Sequence, residues 1–89
     1  MEKLLITDDS EEIRTQLKWG LGKDYAVLLA KNGAEALALF KKNSPRVATL
    51  DLGLPPHESG TEEGFQCLQE MLQHKPQAKV IVLTGNDQR

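Results

Sequence analysis

Apolar and polar positions along the chain fall into blocks of two kinds. Lys3–Thr7, Tyr25–Ala30, Val47–Asp51 and Lys79–Thr84 are short apolar runs that predict strands, the first suited to burial on both faces. Between them apolar residues recur every three or four positions, which predicts helices. Ile13, Leu17 and Leu21 make the buried stripe of the first, and Ala36, Leu37 and Phe40 that of the second. Phe65, Leu68, Met71 and Leu72 point inward from the third. Asp9 is placed to cap the first helix, with Glu12 at its third position in a capping-box arrangement, and Gly22 stops it. Asn32-Gly33 is a turn signal before the second helix, Ser44-Pro45 ends it, and Pro76 closes the third. Strand–helix alternation of this kind predicts an α/β, doubly wound parallel sheet with right-handed crossovers and helices on both faces.

Composition narrows the function more than the fold. The 89 residues carry a net charge of −2 with mixed signs, which lacks the basic face that nucleic-acid contact within these residues would need. No run approaches the ~20 apolar residues of a membrane span, and the N-terminus does not resemble a signal peptide, so a cytoplasmic setting is expected. Cys67 is the only cysteine, which leaves no disulfide or thiolate metal framework and predicts a reduced thiol on a helix flank. Trp19 falls opposite the Ile13–Leu17–Leu21 stripe. The helical wheel leaves it either half-exposed or against a further helix or partner.

The chemistry gathers at the strand ends. Asp8-Asp9 follow the first strand, Asp51 ends the third and Thr84 ends the fourth. In open parallel sheets, ligands sit beyond the carboxyl ends of the strands, where the strand order reverses. Carboxylates brought together there repel, each pair by roughly 4 kcal/mol at ~4 Å and an effective dielectric of ~20. A small, hard, oxygen-liking dication relieves that repulsion, so the acids predict a magnesium-type site with one carboxylate left to do chemistry.

The acidic pair after strand one, the Asp51-x-x-x-Pro55 after strand three and the Thr84-Gly85 after strand four resemble, in order and spacing, the receiver domain of two-component response regulators. The resemblance runs from Lys3 to about Asp87 and implies a flavodoxin-like fold of strand order 2-1-3-4-5. It implies Asp51 as the phosphoacceptor, with Mg²⁺ (or Mn²⁺ as a substitute) held by Asp9 directly, by Asp8 through water, by Asp51 and by the Gly53 carbonyl. Thr84 would bond a phosphoryl oxygen and throw the switch. Pro55 would shape the loop, Gly85 would leave room for phosphate, and Gly53 and Asn86 stand where hydrolysis is tuned. A histidine kinase and an output domain beyond Arg89 are the implied partners.

Two departures accompany the resemblance. The loop Pro55–Gly64 is about five residues longer than is usual. The phrases Asp51-Leu52-Gly53-Leu54-Pro55-Pro56, Gly60-Thr61-Glu62-Glu63-Gly64 and Thr84-Gly85-Asn86-Asp87 resemble the receivers of sigma-54-type transcriptional regulators associated with exosortase (PEP-CTERM) systems. Further, residues 1–89 match the N-terminal part of a single receiver, lacking the fifth strand, the lysine after it and the last two helices. An apolar fourth-strand edge is therefore expected to be exposed, and to be covered by a continuation of the protein or by a homodimer through that edge. A haloacid-dehalogenase-like phosphatase would need a second aspartate where Gly53 stands. Gly20-Leu21-Gly22 is too small a piece of a nucleotide fingerprint and lies at a helix end. A pseudo-receiver serving protein contact alone would not require the acidic trio.

Overall fold

The computed structural model describes residues 1–51 and 62–83, with the Glu62 and Glu63 side chains excepted. Seven elements follow in the expected order: β1 (Glu2–Thr7), α1 (Glu11–Leu21), β2 (Tyr25–Ala30), α2 (Gly33–Asn43), β3 (Val47–Asp51), α3 (Glu62–His74) and β4 (Lys79–Leu83). The four strands form one parallel sheet in the order β2-β1-β3-β4. The parallel, doubly wound sheet is the one that the apolar runs and their alternation with helices predicted, and its strand order is the flavodoxin-like one that the resemblance implied.

Alternation along each strand divides the sheet into two faces. Leu5, Ala30, Ala48 and Leu50 point to the side covered by α2 and α3, and meet Ala36, Phe40, Cys67, Met71 and Ala78 in one core. Leu4 and Ile6 point to the α1 side, so β1, flanked by β2 and β3, is buried on both faces as its apolar run implied.

Local chemistry fixes the helix ends. Asn32 caps α2 by accepting from the Glu35 amide at 2.8 Å, and Glu35 reaches back to accept from the Lys31 amide at 3.0 Å. At the other end Ser44 adopts a left-handed backbone (φ 47°) before the buried Pro45, and its N–H closes on the Phe40 carbonyl. Lys75, just past α3, donates to the Ser44 carbonyl at 2.8 Å and ties the two helix ends together.

Several expectations are corrected. Ser10, not Asp9, caps α1: its hydroxyl accepts from the Ile13 amide, so Glu12 is not in a capping box. The Ile13–Leu17–Leu21 stripe is not buried, because among the described residues α1 lies mainly over β1 and β2; Ile13 is 39% exposed. In α3 the inward face is rotated, with Gly64, Cys67 and Met71 buried and Phe65 54% exposed. Leu72 is exposed as well, and Cys67 is core rather than flank, because α3 turns its small and flexible side chains toward α2. Trp19 stands out in solvent. At the sheet edge Ile81, Val82 and Leu83 are exposed, as expected of an uncovered fourth strand. The expectations for Gly53, Pro55, Thr84, Gly85, Asn86 and the long loop after Asp51 fall outside the described residues.

Candidate functional site

Register brings the acids together. β1 and β3 run parallel with Thr7 opposite Leu50, so the next residues along, Asp8 and Asp51, leave the sheet side by side. Asp9 follows at once. Oxygen atoms of the three carboxylates lie within 4.8 Å of one another, with Asp8 buried, Asp51 half-buried and Asp9 exposed.

The strand-to-helix turn holds this geometry. The Asp8 amide donates to the Ala30 carbonyl at 3.0 Å, which continues the β1–β2 ladder one residue past the strand. The Asp8 carboxylate accepts from the Ser10 amide at 2.9 Å, and Arg14 Nη1 donates to the Asp8 carbonyl at 2.7 Å. Since Ser10 serves as the cap, the Asp9 carboxylate is not drawn into the helix terminus. Sequence reasoning missed both Ser10 and Arg14. The signal for Ser10 was available, a favoured capping residue directly before the acidic pair Glu11-Glu12. Nothing local in the sequence pointed Arg14 at a carbonyl six residues earlier.

Burial chiefly, and then the charges of Asp51 and Asp9 together with the hydrogen bond that protonated Asp8 gives to Asp9, raise the Asp8 pKa above its ordinary 3.8. The Ser10 N–H opposes the shift without cancelling it. A raised folded-state pKa means that the folded chain holds its proton more tightly than the unfolded one. Stability from this group is therefore complete below about pH 3.8 and is lost as pH rises through the raised value. Asp8→Asn is expected to flatten that loss in metal-free protein and to raise stability above it by about 1 kcal/mol. Urea unfolding across pH 3.5 to 7 checks this, and a variant with the wild-type pH slope would contradict it.

The donor set fits a hard dication. It offers only carboxylate oxygens, at the mutual spacing that one octahedral ion can bridge, in a corner where excess negative charge already costs energy. Asp8, Asp9 and Asp51 could hold such an ion, and water would complete its shell.

The comparisons with known proteins cover nearly the whole chain. The family model "Response regulator receiver domain" matches residues 4–89. The chain belongs to the response regulator receiver family. Chemotaxis protein CheY of Listeria monocytogenes is 34% identical over 92 residues, a match covering 100% of this receiver chain and 72% of that protein. A Burkholderia pseudomallei response regulator, solved with a phosphorylated aspartic acid, calcium ion and citrate, superposes with a TM-score of 0.83 at 31% identity. That alignment covers 98% of this chain and 49% of the other. The complex of histidine kinase ThkA with response regulator TrrA gives 0.82 at 31% identity, covering 99% of this receiver and 72% of the matched chain. Other curated relatives are much longer, and the match covers 21% of one and 39% of another. Among the described residues no helix is long and apolar enough to cross a membrane.

Proposed function

We infer that this receiver accepts a phosphoryl group on Asp51 from a phosphorylated histidine of a kinase and thereby switches an output. The observation that carries the reading is the convergence of Asp8, Asp9 and Asp51 at adjacent strand ends, with Asp51 on the rigid sheet itself. A carboxylate oxygen of Asp51 attacks phosphorus, the P–N bond to the imidazole breaks as the P–O bond forms, and the departing nitrogen takes a proton. Asp8 and Asp9 are the groups to hold Mg²⁺ or Mn²⁺, with Asp51 and the Gly53 carbonyl as further ligands. When bound, that ion supplies charge neutralisation for the incoming phosphoryl oxygens. The work of this chain's own residues is positioning: the Asp8–Ala30 and Asp8–Ser10 hydrogen bonds fix where the acids stand.

Thr84 is proposed as the hydroxyl that meets the phosphoryl group, with Pro55, Gly85 and Asn86 in supporting positions. The solved relative carrying a phosphorylated aspartic acid and a calcium ion supports the acceptor and ion roles. The kinase–regulator complex supports the partner. Residues 1–89 are proposed to be the N-terminal part of one receiver domain. A transcriptional output of the sigma-54 type is supported by the loop phrases around Asp51, Gly60 and Thr84.

The test uses acetyl phosphate. Incubation with Mg²⁺ is expected to add one hydroxylamine-labile phosphoryl group, and chelation by EDTA to prevent it. Borohydride reduction followed by peptide mapping is expected to place the group on Asp51. An adduct on another residue, or none with Mg²⁺ present, overturns the proposal.

A further inference from the structure

At the end of the sheet away from β4, the outer side of α1 overhangs β2 and leaves a groove of about 780 Å³. Its floor is Tyr25, Val27 and Leu29, its wall carries Trp19, and Lys18 and Lys23 stand at its rim. Trp19 is 80% exposed, the most solvent-covered large apolar side chain within the elements.

β2 itself is an unusual edge. Among the described residues it pairs only with β1, and its six residues, Tyr-Ala-Val-Leu-Leu-Ala, include no charge and no proline. Edge strands are ordinarily blunted by such residues, because an open row of amides and carbonyls is a template for another strand. The direction of that row follows from one bond. The Ala30 carbonyl accepts from the Asp8 amide, so the backbone of Ala30 faces β1. Successive residues alternate, so Ala26 and Leu28 face β1 too, and the N–H and C=O groups of Tyr25, Val27 and Leu29 face outward. Those three residues also floor the groove. Backbone hydrogen bonding and apolar side-chain pockets are thus offered along the same line, which is the combination that strand addition uses.

We propose that the β2 edge and the α1 groove bind an extended segment of another protein, added as a further strand, with apolar residues at alternate positions and an acidic residue at the end beside Lys18 and Lys23. The acidic residue follows from charge: Lys18 and Lys23 line the groove at the Tyr25 end of the strip, whereas Asp24, next to them in sequence, does not line it. The surface is separate from the acid cluster and does not depend on phosphorylation.

Trp19 is the chain's only tryptophan, so its fluorescence reports the groove directly. The probe is a capped seven-residue peptide alternating valine and threonine, with glutamate at one end. Titrated into the wild-type chain, it is expected to shift Trp19 emission to the blue and to protect the Tyr25, Val27 and Leu29 amides from hydrogen exchange. Val27→Pro removes one outward N–H while leaving the β1 ladder intact, a substitution that edge strands tolerate. It is expected to abolish both signals. Lys18→Glu with Lys23→Glu, which touches no backbone pairing, is expected to weaken binding at least tenfold and carries the test should the proline variant not fold. Absence of any shift with wild type overturns the proposal. So does a response unchanged in the folded variants, or self-association that buries Trp19 without peptide.

Discussion

Asp51→Asn is expected to reduce phosphoryl uptake from acetyl phosphate at least ~100-fold, a loss of about 2.7 kcal/mol in transition-state stabilisation. An amide lacks the anionic oxygen that the displacement needs, and neither remaining acid occupies its position. Asp51 is the last residue of β3, held in register with Leu83 of β4 on one side and continuing the β1 pairing on the other. Asp9 is exposed on the turn and Asp8 is buried beneath it, its carboxylate accepting from Ser10. The same substitution removes one of three like charges whose oxygens lie within 4.8 Å. Metal-free Asp51→Asn should therefore melt higher than wild type, by about 4–8 °C for each kcal/mol of repulsion relieved in a domain of this size. Mg²⁺ should stabilise it less than wild type, because one ligand is gone. Radiolabel from acetyl phosphate and thermal melts with and without Mg²⁺ measure the three effects together. A variant that labels as well as wild type would remove Asp51 from the acceptor role. A melting temperature below wild type without metal would mean that the cluster is not repulsive.

The largest effect on folding is expected from Phe40→Ala. Phe40 is fully buried on α2, at the centre of the core that joins α2, α3 and the sheet, and its ring meets His74 edge-on at 6.1 Å. Truncating a buried phenylalanine costs about 3–5 kcal/mol, part of it for the cavity left behind. Stabilities of about 0.05–0.15 kcal/mol per residue give this chain roughly 4–13 kcal/mol in total, so the substitution removes from about a quarter to all of it. Small domains have little reserve against such a loss. Urea denaturation is expected to show a lower midpoint with an unchanged slope. Phe65→Ala, on the neighbouring helix but more than half exposed, is expected to shift the midpoint far less. Equal losses for the two would show that the core is not organised around Phe40.

What the sequence revealed, and what it hid, follows from the range of each interaction. Strand runs such as Leu4–Thr7 and Val47–Asp51 were legible because a buried strand needs continuous apolar residues, a requirement written locally. The acid cluster was legible for a related reason. A parallel sheet puts all strand ends of one polarity on one side, so Asp8-Asp9 and Asp51 had to approach once the topology was known. Helix faces were harder. Ile13, Leu17 and Leu21 satisfy the spacing of a buried stripe, yet burial depends on what lies opposite, and among the described residues α1 has mainly β1 and β2 beneath it. In α3 both Phe65 and Cys67 fit a helical face, and hydrophobicity favoured the aromatic. Packing favoured the smaller residue, whose Sγ lies 3.8 Å from the Gly33 carbonyl. The cap of α1 was misassigned by one position because Asp9 and Ser10 are both good caps, and only the turn geometry chooses. That one-residue difference matters chemically, since it leaves Asp9 with the cluster.

The burial of Cys67 has a practical consequence. With a single thiol in the chain, only 2% exposed between two helices, an alkylating reagent reacts when a local opening bares the sulfur. The rate of covalent trapping, compared with that of a small free thiol, therefore converts into the free energy of that opening. The wild-type chain thus carries a built-in clock for its own breathing, which needs no engineered label.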